Sequence, residues 1–197
     1  MKEKWQNQYD EGKPPWNYDE LDPDFGNFFG EGIKVLDHTK GSKVIDLGCG
    51  TGSLLHHIGK RGFDITGTDI VNVLEYDIKN FIIDDALDSK LNQKYDIVLD
   101  RGLIHNLFHL ENRHKYFEMI GNITHDRSYI VLKVLSPYET RFHPLTHTGP
   151  YRFNEDQLIN FFSMFDFKCI ELKDTFFYSN MNPHLRGYFS IYKKEET

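Results

Sequence analysis

The chain predicts an α/β fold: a doubly wound, mostly parallel seven-stranded sheet with helices on both faces and an antiparallel edge. Three observations predict it. Residues 43–52 read Lys-Val-Ile-Asp-Leu-Gly-Cys-Gly-Thr-Gly, an apolar strand running into glycines at alternate positions, the signature of a tight strand-to-helix turn. Apolar runs at 95–99 and 129–135 have the length and composition of buried strands, and helical spacings between such runs make βαβ units. The two closing strands, near 168–172 and 187–192, have no helical pattern between them, so an antiparallel edge is expected there.

Each element follows in order. After the glycine turn, Leu54, Leu55 and Ile58 keep helical spacing until Gly62, a helix-ending glycine, and residues 63–69 resume as a strand. A short strand at 81–83 precedes the strong one at 95–99. A helix over 111–123, the strand at 129–135 and a helix over 155–165 lead to the closing pair. Two segments fall outside the alternation, 1–40 and 136–153. The expected organisation is a cap over 1–40 and a single domain over 41–197. Ligands of open α/β sheets bind beyond the carboxyl ends of the strands, so 136–153, which leaves such an end, is placed to act as a lid.

Composition narrows the function. At 197 residues the chain can bury a substantial core without disulfides. A net charge of −7 argues against a general affinity for nucleic acid or anionic membrane. Cys49 and Cys169 offer neither a disulfide framework nor metal-site spacing, which fits a reducing compartment. No apolar stretch approaches the ~18 residues of a membrane span, and the first residues lead into no signal-peptide core. A cytoplasmic protein is expected. Nothing in the sequence speaks to oligomeric state.

The glycine turn departs from the dinucleotide pattern G-x-G-x-x-G, which seats pyrophosphate on a helix N-terminus. Gly48 and Gly50 fit that spacing, but Ser53 stands where the third glycine belongs and Gly52 comes one place early. Asp46, at the end of the strand, would repel pyrophosphate and attract an ammonium or sulfonium. A glycine cluster by itself is also what a bare turn needs; the acid before it turns the reading towards a cationic, phosphate-free cofactor. That points to S-adenosylmethionine (SAM) and methyl transfer.

On residues 44–52 (Val-Ile-Asp-Leu-Gly-Cys-Gly-Thr-Gly), Asp69, Asp85-Ala86 and 95–100 (Tyr-Asp-Ile-Val-Leu-Asp), the chain resembles the class I, Rossmann-like SAM-dependent methyltransferases over about residues 30–193. The resemblance implies that Asp46, Gly48, Cys49, Gly50, Thr51 and Gly52 hold the methionine part of SAM. It implies that Asp69, with Ile70 beside it, takes both ribose hydroxyls, as an ionised carboxylate can. Asp85 and Ala86 then meet the adenine edge, and Asp100 and Trp16 complete the cofactor set. Asp84 adjoins Asp85, and a one-residue slip would exchange them. Only ten residues separate Asp69 from Asn80, so the helix that the family has there is expected to be short or missing. Each acid also has a purely structural reading: strand-end acceptor for Asp46, loop acid for Asp69 and Asp85, helix cap for Asp100.

The acceptor is less directly written. Displacement at a sulfonium asks the protein to align the nucleophile, exclude water and, where needed, take a proton. Asp100-Arg101-Gly102-Leu103-Ile104-His105 carries neither the Asn/Asp-Pro-Pro-aromatic nor the Pro-Cys signature of base methylation, so nucleic acid is disfavoured. Asp-Arg-Gly at this place is similar to the thiopurine S-methyltransferase group, and also to some lysine methyltransferases of translation factors. Residues 5–16 resemble the Trp, Gly and Pro-Trp pattern that folds over the cofactor in thiol, thiopurine and halide methyltransferases. Trp5, Tyr9 and Trp16 then either close a small acceptor pocket, with cation–π attraction to the sulfonium, or pin the N-terminus to the core by packing alone.

His105 is the candidate to take the acceptor's proton, its ordinary pKa near 6.5 suiting that work; the competing reading is a histidine that caps or packs. His105/His109 and His143/His147 share an H-x-x-x-H spacing, but without the glutamate of H-E-x-x-H or a third ligand no metal is expected. Tyr9, His109, Tyr138 and Arg152 are the further candidate substrate contacts, Arg152 for an anionic group. The sequence thus reads as a SAM-dependent methyltransferase of a small-molecule acceptor, a thiol or other soft nucleophile preferred. A protein lysine methyltransferase and a non-catalytic SAM-binding protein are the alternatives.

Overall fold

The computed structural model describes residues 2–12, 14–33, 41–141 and 150–196. Five strands run parallel: β1 (Lys43–Leu47), β2 (Asp64–Asp69), β3 (Phe81–Ile83), β4 (Ile97–Arg101) and β5 (Tyr129–Leu135). The last two, β6 (Phe167–Phe177) and β7 (Leu185–Lys194), pair antiparallel, and β7 also lies antiparallel beside β5. The sheet order is β3-β2-β1-β4-β5-β7-β6, the doubly wound arrangement with its expected edge. The order in which strands are added reverses between the parallel neighbours β1 and β4, the place where such folds open a crevice at the carboxyl ends of their strands.

Helices cover both faces because alternate strand residues are apolar on each. Ile45, Leu47, Val98, Ile130, Leu132 and Val134 pack against α4 (Leu110–Ile123) and α5 (Glu155–Ser163) through Tyr116, Phe117, Ile120, Leu158 and Phe162. On the other face Val44, Ile97, Leu99 and Val131 meet α2 (Pro23–Asn27), the π-turn Phe28–Gly32 that prolongs it, and α3 (Ser53–Gly59), through Phe25, Phe28, Phe29, Leu54 and Ile58. The first forty residues therefore do two jobs: Phe25 to Ile33 build core, while α1 (Lys2–Asp10) buries no residue fully.

The helix expected to be short between β2 and β3 is absent, and residues 70–80 form a loop. The loop has a reason to be there. Glu75 donates its N–H to the Thr51 carbonyl at 3.0 Å, and Leu74 and Ile78 press so closely on Gly52 that an added Cβ would meet them at 3.0 and 2.9 Å. It braces the glycine turn from outside. Of the expected lid, residues 142–149, with His143 and His147, lie outside the described residues. No helix among the described residues is long and apolar enough to cross a membrane.

Candidate functional site

Over the carboxyl ends of β1, β2 and β4 lies a cavity of about 540 Å³. Its first half is built from backbone and carboxylates. Gly48, Gly50 and Gly52 have φ of 68°, 55° and 83°, conformations that residues with a Cβ adopt at a cost. At Gly50 the requirement is double, since a Cβ there would also meet the Tyr9 hydroxyl at 2.8 Å. Asp69 ties the second strand to this turn: Oδ2 accepts the Gly50 N–H at 2.9 Å and Oδ1 the Val71 N–H at 3.1 Å. With the Ile70 N–H also directed at it, the carboxylate still keeps acceptor capacity for a ligand.

Asp46 is 3% exposed, and its Oδ1 has no hydrogen-bond partner. Burial, with Asp100 and Asp69 adding negative charge nearby, holds its carboxyl well above the usual range. Burial also raises Asp69, against the backbone hydrogen bonds that it accepts. Asp100 is pushed up to about 6 by burial, although Tyr116 Oη–H (2.8 Å) and the Leu103 and Ile104 N–H groups (2.6 and 2.9 Å) donate to it. The buried Asp46 and Asp100 and the half-buried Asp69, at neighbouring strand ends, make this half of the cavity electrostatically receptive to a cation.

The second half is built from side chains. Leu135, Phe177 and Leu185 form an apolar cluster, with Trp16 and Met181 packed on it. Arg101 lies over the Phe177 ring with its guanidinium carbon 4.6 Å from the centroid, and the His105 ring centroid is 5.5 Å from the same ring. Arg101 is held by Asp22 Oδ2 at 3.4 Å through Nε and by the Tyr178 carbonyl through Nη2. Behind them Lys133, fully buried, joins Asp22 (2.5 Å) and Asp24 (2.7 Å), and Thr175 Oγ1–H donates to Asp24 at 2.7 Å. The Trp16–Asn17 turn is fastened by the Asn180 N–H, which donates to the Pro15 and Asn17 carbonyls at 3.2 and 2.9 Å. Trp5 and Tyr9 of α1 stand edge-on to Trp16, at 5.8 and 6.3 Å between centroids, and all three line the cavity.

Among the described residues His105 is the only histidine that lines the cavity, but its chemistry differs from expectation. Its Nδ1 accepts the Leu135 N–H at 3.3 Å, which assigns the ring proton to Nε2. Burial lowers its pKa to about 3, with Arg101 contributing, so the ring is neutral. Nε2 lies against Gly102, where an added Cβ would meet it at 2.9 Å and where φ is 94°. The ring thus meets the cavity as a hydrogen-bond donor, which is the wrong polarity for taking a proton.

The structure brings most candidates together. Tyr9, Trp16, Asp46, Gly48, Cys49, Gly50, Thr51, Asp69, Ile70, Asp85, Ala86 and His105 line one cavity, with Asp84 beside Asp85. Asp84 Oδ1 accepts the Lys90 N–H and Asp85 Oδ1 the Leu87 N–H, so both acids are held at the wall. Gly52 is set back, starting α3. Four candidates lie off the wall. Asp100 is sealed behind it, its carboxylate occupied by Tyr116 and the turn that follows, so it positions the 103–104 backbone. His109 precedes α4 in exposed position, Tyr138 is 64% exposed, and Arg152 donates to the Glu139 carbonyl. Sequence reasoning missed Arg101, Asn17, Leu135, Phe177 and Leu185 as lining residues. Arg101 stood within the noted Asp-Arg-Gly; the others carry no local signal.

A doubly wound sheet with a cation-receptive glycine turn at its switch point defines the class I methyltransferase architecture. The chain belongs to the methyltransferase domain family, whose model matches residues 24–170. Similar solved structures include a SAM-dependent methyltransferase from Methanosarcina mazei, at TM-score 0.70 and 13% identity over 90% of this chain and 100% of that one. A protein studied for the conversion of a disulfide bond into a thioacetal group in echinomycin biosynthesis aligns at TM-score 0.75 and 17% identity, over 99% and 93%. The 1,6-didemethyltoxoflavin-N1-methyltransferase of Burkholderia thailandensis, bound to its substrate and S-adenosylhomocysteine, aligns at 0.63 and 15%, over 88% and 87%. At these identities the likeness is one of fold. No curated protein matches the chain. The protein is a methyltransferase.

Proposed function

We propose that this enzyme transfers the methyl group of SAM to a small molecule, with a thiol or another soft nucleophile as the preferred acceptor, as in the thiopurine and thiol group that its sequence resembles. SAM is the cofactor, and the residues fit it: the unpartnered Asp46 Oδ1, the raised acids around it and the positive-φ glycines suit a ligand with a cationic end and no phosphate. Bound there, SAM supplies an electrophilic methyl group on a sulfonium. Asp69 is placed for the ribose, the turn at 48–52 for the methionine part and Asp84 or Asp85 for the adenine edge.

One observation carries the acceptor reading. The cavity is lined by Trp5, Tyr9 and Trp16 and by Leu103, Leu107, Leu135 and Phe177, an aromatic and apolar lining of the kind that holds a small molecule. The apolar wall favours a weakly hydrated nucleophile over an ammonium. Two structural neighbours support it, one acting on 1,6-didemethyltoxoflavin and one concerned with sulfur chemistry. The free Cys49 and Cys169 support a reducing, cytoplasmic setting. Calorimetry with SAM comes first, then release of S-adenosylhomocysteine with small thiols, amines, phenols and lysine peptides. Turnover fastest with thiols is expected; absence of SAM binding, or turnover with peptides alone, overturns the proposal.

A further inference from the structure

The acceptor half of the cavity has a polarity of its own. His105 presents Nε2–H, with no partner among the described residues, because Nδ1 already accepts from Leu135. Arg101 engages Asp22 through Nε and Tyr178 through Nη2, which leaves Nη1 without a partner among the described residues. Asn17, 6% exposed and on the same wall, has an amide Nδ2 with no hydrogen-bond partner. Two of these donors flank the Phe177 ring. The carboxylates that offset Arg101 are Asp22, which also accepts from Lys133 and the Asp24 N–H, and Asp46 across the cavity, whose charge Arg101 favours. Asn106 directs its amide to the Gly102 carbonyl, leaving Oδ1 as the remaining acceptor on that stretch of wall, and Glu20 receives the Tyr18 hydroxyl. The Asn17 amide is buried and unpaired, and such a donor is costly until an acceptor fills it.

We propose that the methyl acceptor enters the Phe177 end as an anion, received by Arg101 Nη1, His105 Nε2–H and the Asn17 amide, and that methyl transfer uses no protein base. This deepens the preceding proposal and rests on it. The step balances without a proton: the lone pair of the anionic nucleophile forms the bond to the methyl carbon, and the donor sulfur keeps the pair of the bond that breaks. A negative acceptor and a positive donor become two neutral thioethers when the nucleophile is a thiolate. The acid-lined half and the donor-lined half thereby sort cation from anion within one cavity, so that each ligand disfavours the other's seat.

The test begins with binding, so that it stands apart from turnover. Protein saturated with S-adenosylhomocysteine is titrated by calorimetry with benzoate, benzamide and aniline. Benzoate is expected to bind at least tenfold more tightly than the other two, with Arg101→Gln removing that preference and Arg101→Lys restoring part of it; one to two orders of magnitude is the usual scale for a buried charge-assisted hydrogen bond. Equal binding of the three probes overturns the inference, as does a preference that survives Arg101→Gln. In turnover, kcat/KM for aryl thiols of graded acidity is expected to follow the ionised fraction of each thiol. A single pH midpoint shared by all of them, which would report an enzyme base, also overturns it. Failure of SAM binding sinks the methyltransferase reading instead, and the two failures are distinguishable.

Discussion

The two halves of the cavity are made differently. The cofactor half is held by main chain: Gly50 and Val71 N–H groups aim Asp69, Leu103 and Ile104 N–H groups hold Asp100, and a loop braces the glycine turn. The acceptor half is held by side chains reaching across long sequence separations, with Lys133 on Asp22 and Asp24 behind Arg101, and Phe177 on Leu135 and Leu185. Main-chain geometry tolerates substitution of everything but glycines and the acids that it aims. A side-chain-built wall can change specificity one residue at a time without disturbing the donor's seat, which is how one fold serves many acceptors.

The largest effect should come from the ionic cluster behind the acceptor wall. Lys133→Met takes from Asp22 and Asp24 the fully buried cation that they share, leaving Arg101 on Asp22 and the more exposed Lys173 on Asp24, and removal of one partner from a buried pair costs about 3–5 kcal/mol. A urea midpoint lowered accordingly is expected, while Lys133→Met combined with Asp22→Asn and Asp24→Asn should recover much of the loss. A single variant as stable as the wild type would mean that this wall is not held from behind. Next comes Asp69→Asn, which keeps shape but removes charge. Burial already raises the Asp69 pKa, but an amide can accept from only one of the Gly50 and Val71 N–H groups, so the free protein should lose about 1–2 kcal/mol, while affinity for S-adenosylhomocysteine falls roughly 10- to 100-fold. Loss of stability without loss of affinity would show that Asp69 only ties the turn together.

Acid sensitivity separates the halves more finely. Asp100, raised from 3.8 to about 6, takes its proton in the folded state first, so its contribution to stability grows as pH falls through 6 and is complete near 3.8. His105, lowered from 6.5 to about 3, is protonated first in the unfolded chain; its contribution is full above 6.5 and is lost as pH falls towards 3. The two oppose each other between about 4 and 6, each with a limiting slope of ~1.4 kcal/mol per pH unit. Urea midpoints at pH 7.5 and 5 should therefore move in opposite senses: His105→Gln less acid-sensitive than wild type, Asp100→Asn more so. A His105→Gln variant more sensitive than wild type would place the imidazole in contact with water or an acid.

What the sequence disclosed follows the same division. The doubly wound class and the antiparallel edge were readable because the inner strands are apolar runs separated by helical spacings, and the seat proposed for the donor was readable because its parts lie within a few residues of a strand end: Asp46 to Gly52, Asp69, Asp85. Asp100 was correctly located at a strand end and wrongly aimed, since only three dimensions reveal that Tyr116, a helical turn and more downstream, points its hydroxyl back at it. The absent helix was visible as a spacing of ten residues. The acceptor wall was not legible: Asn17, Arg101, Leu135 and Phe177 come from four segments that only the antiparallel return of β7 and β6 brings together. Equally, no pattern could tell that Leu135 would donate its N–H to His105 and so set the ring's polarity.

The smallest expected effects lie at the expected substrate contacts that stand off the wall. His109 is exposed just before α4, and Tyr138 is 64% exposed with its ring 6.5 Å from that of Tyr188. Surface substitutions that break no packing or buried hydrogen bond stay within about 0.5 kcal/mol, roughly a twofold change. His109→Ala and Tyr138→Ala should each leave SAM affinity, KM and kcat within that range, in contrast to Arg101→Gln one strand away. A fivefold rise in KM for Tyr138→Ala with kcat unchanged would mark it as a ground-state contact. The acceptor chamber would then extend beyond Phe177 towards Tyr138, and the division between a main-chain seat and a side-chain wall would need a third part.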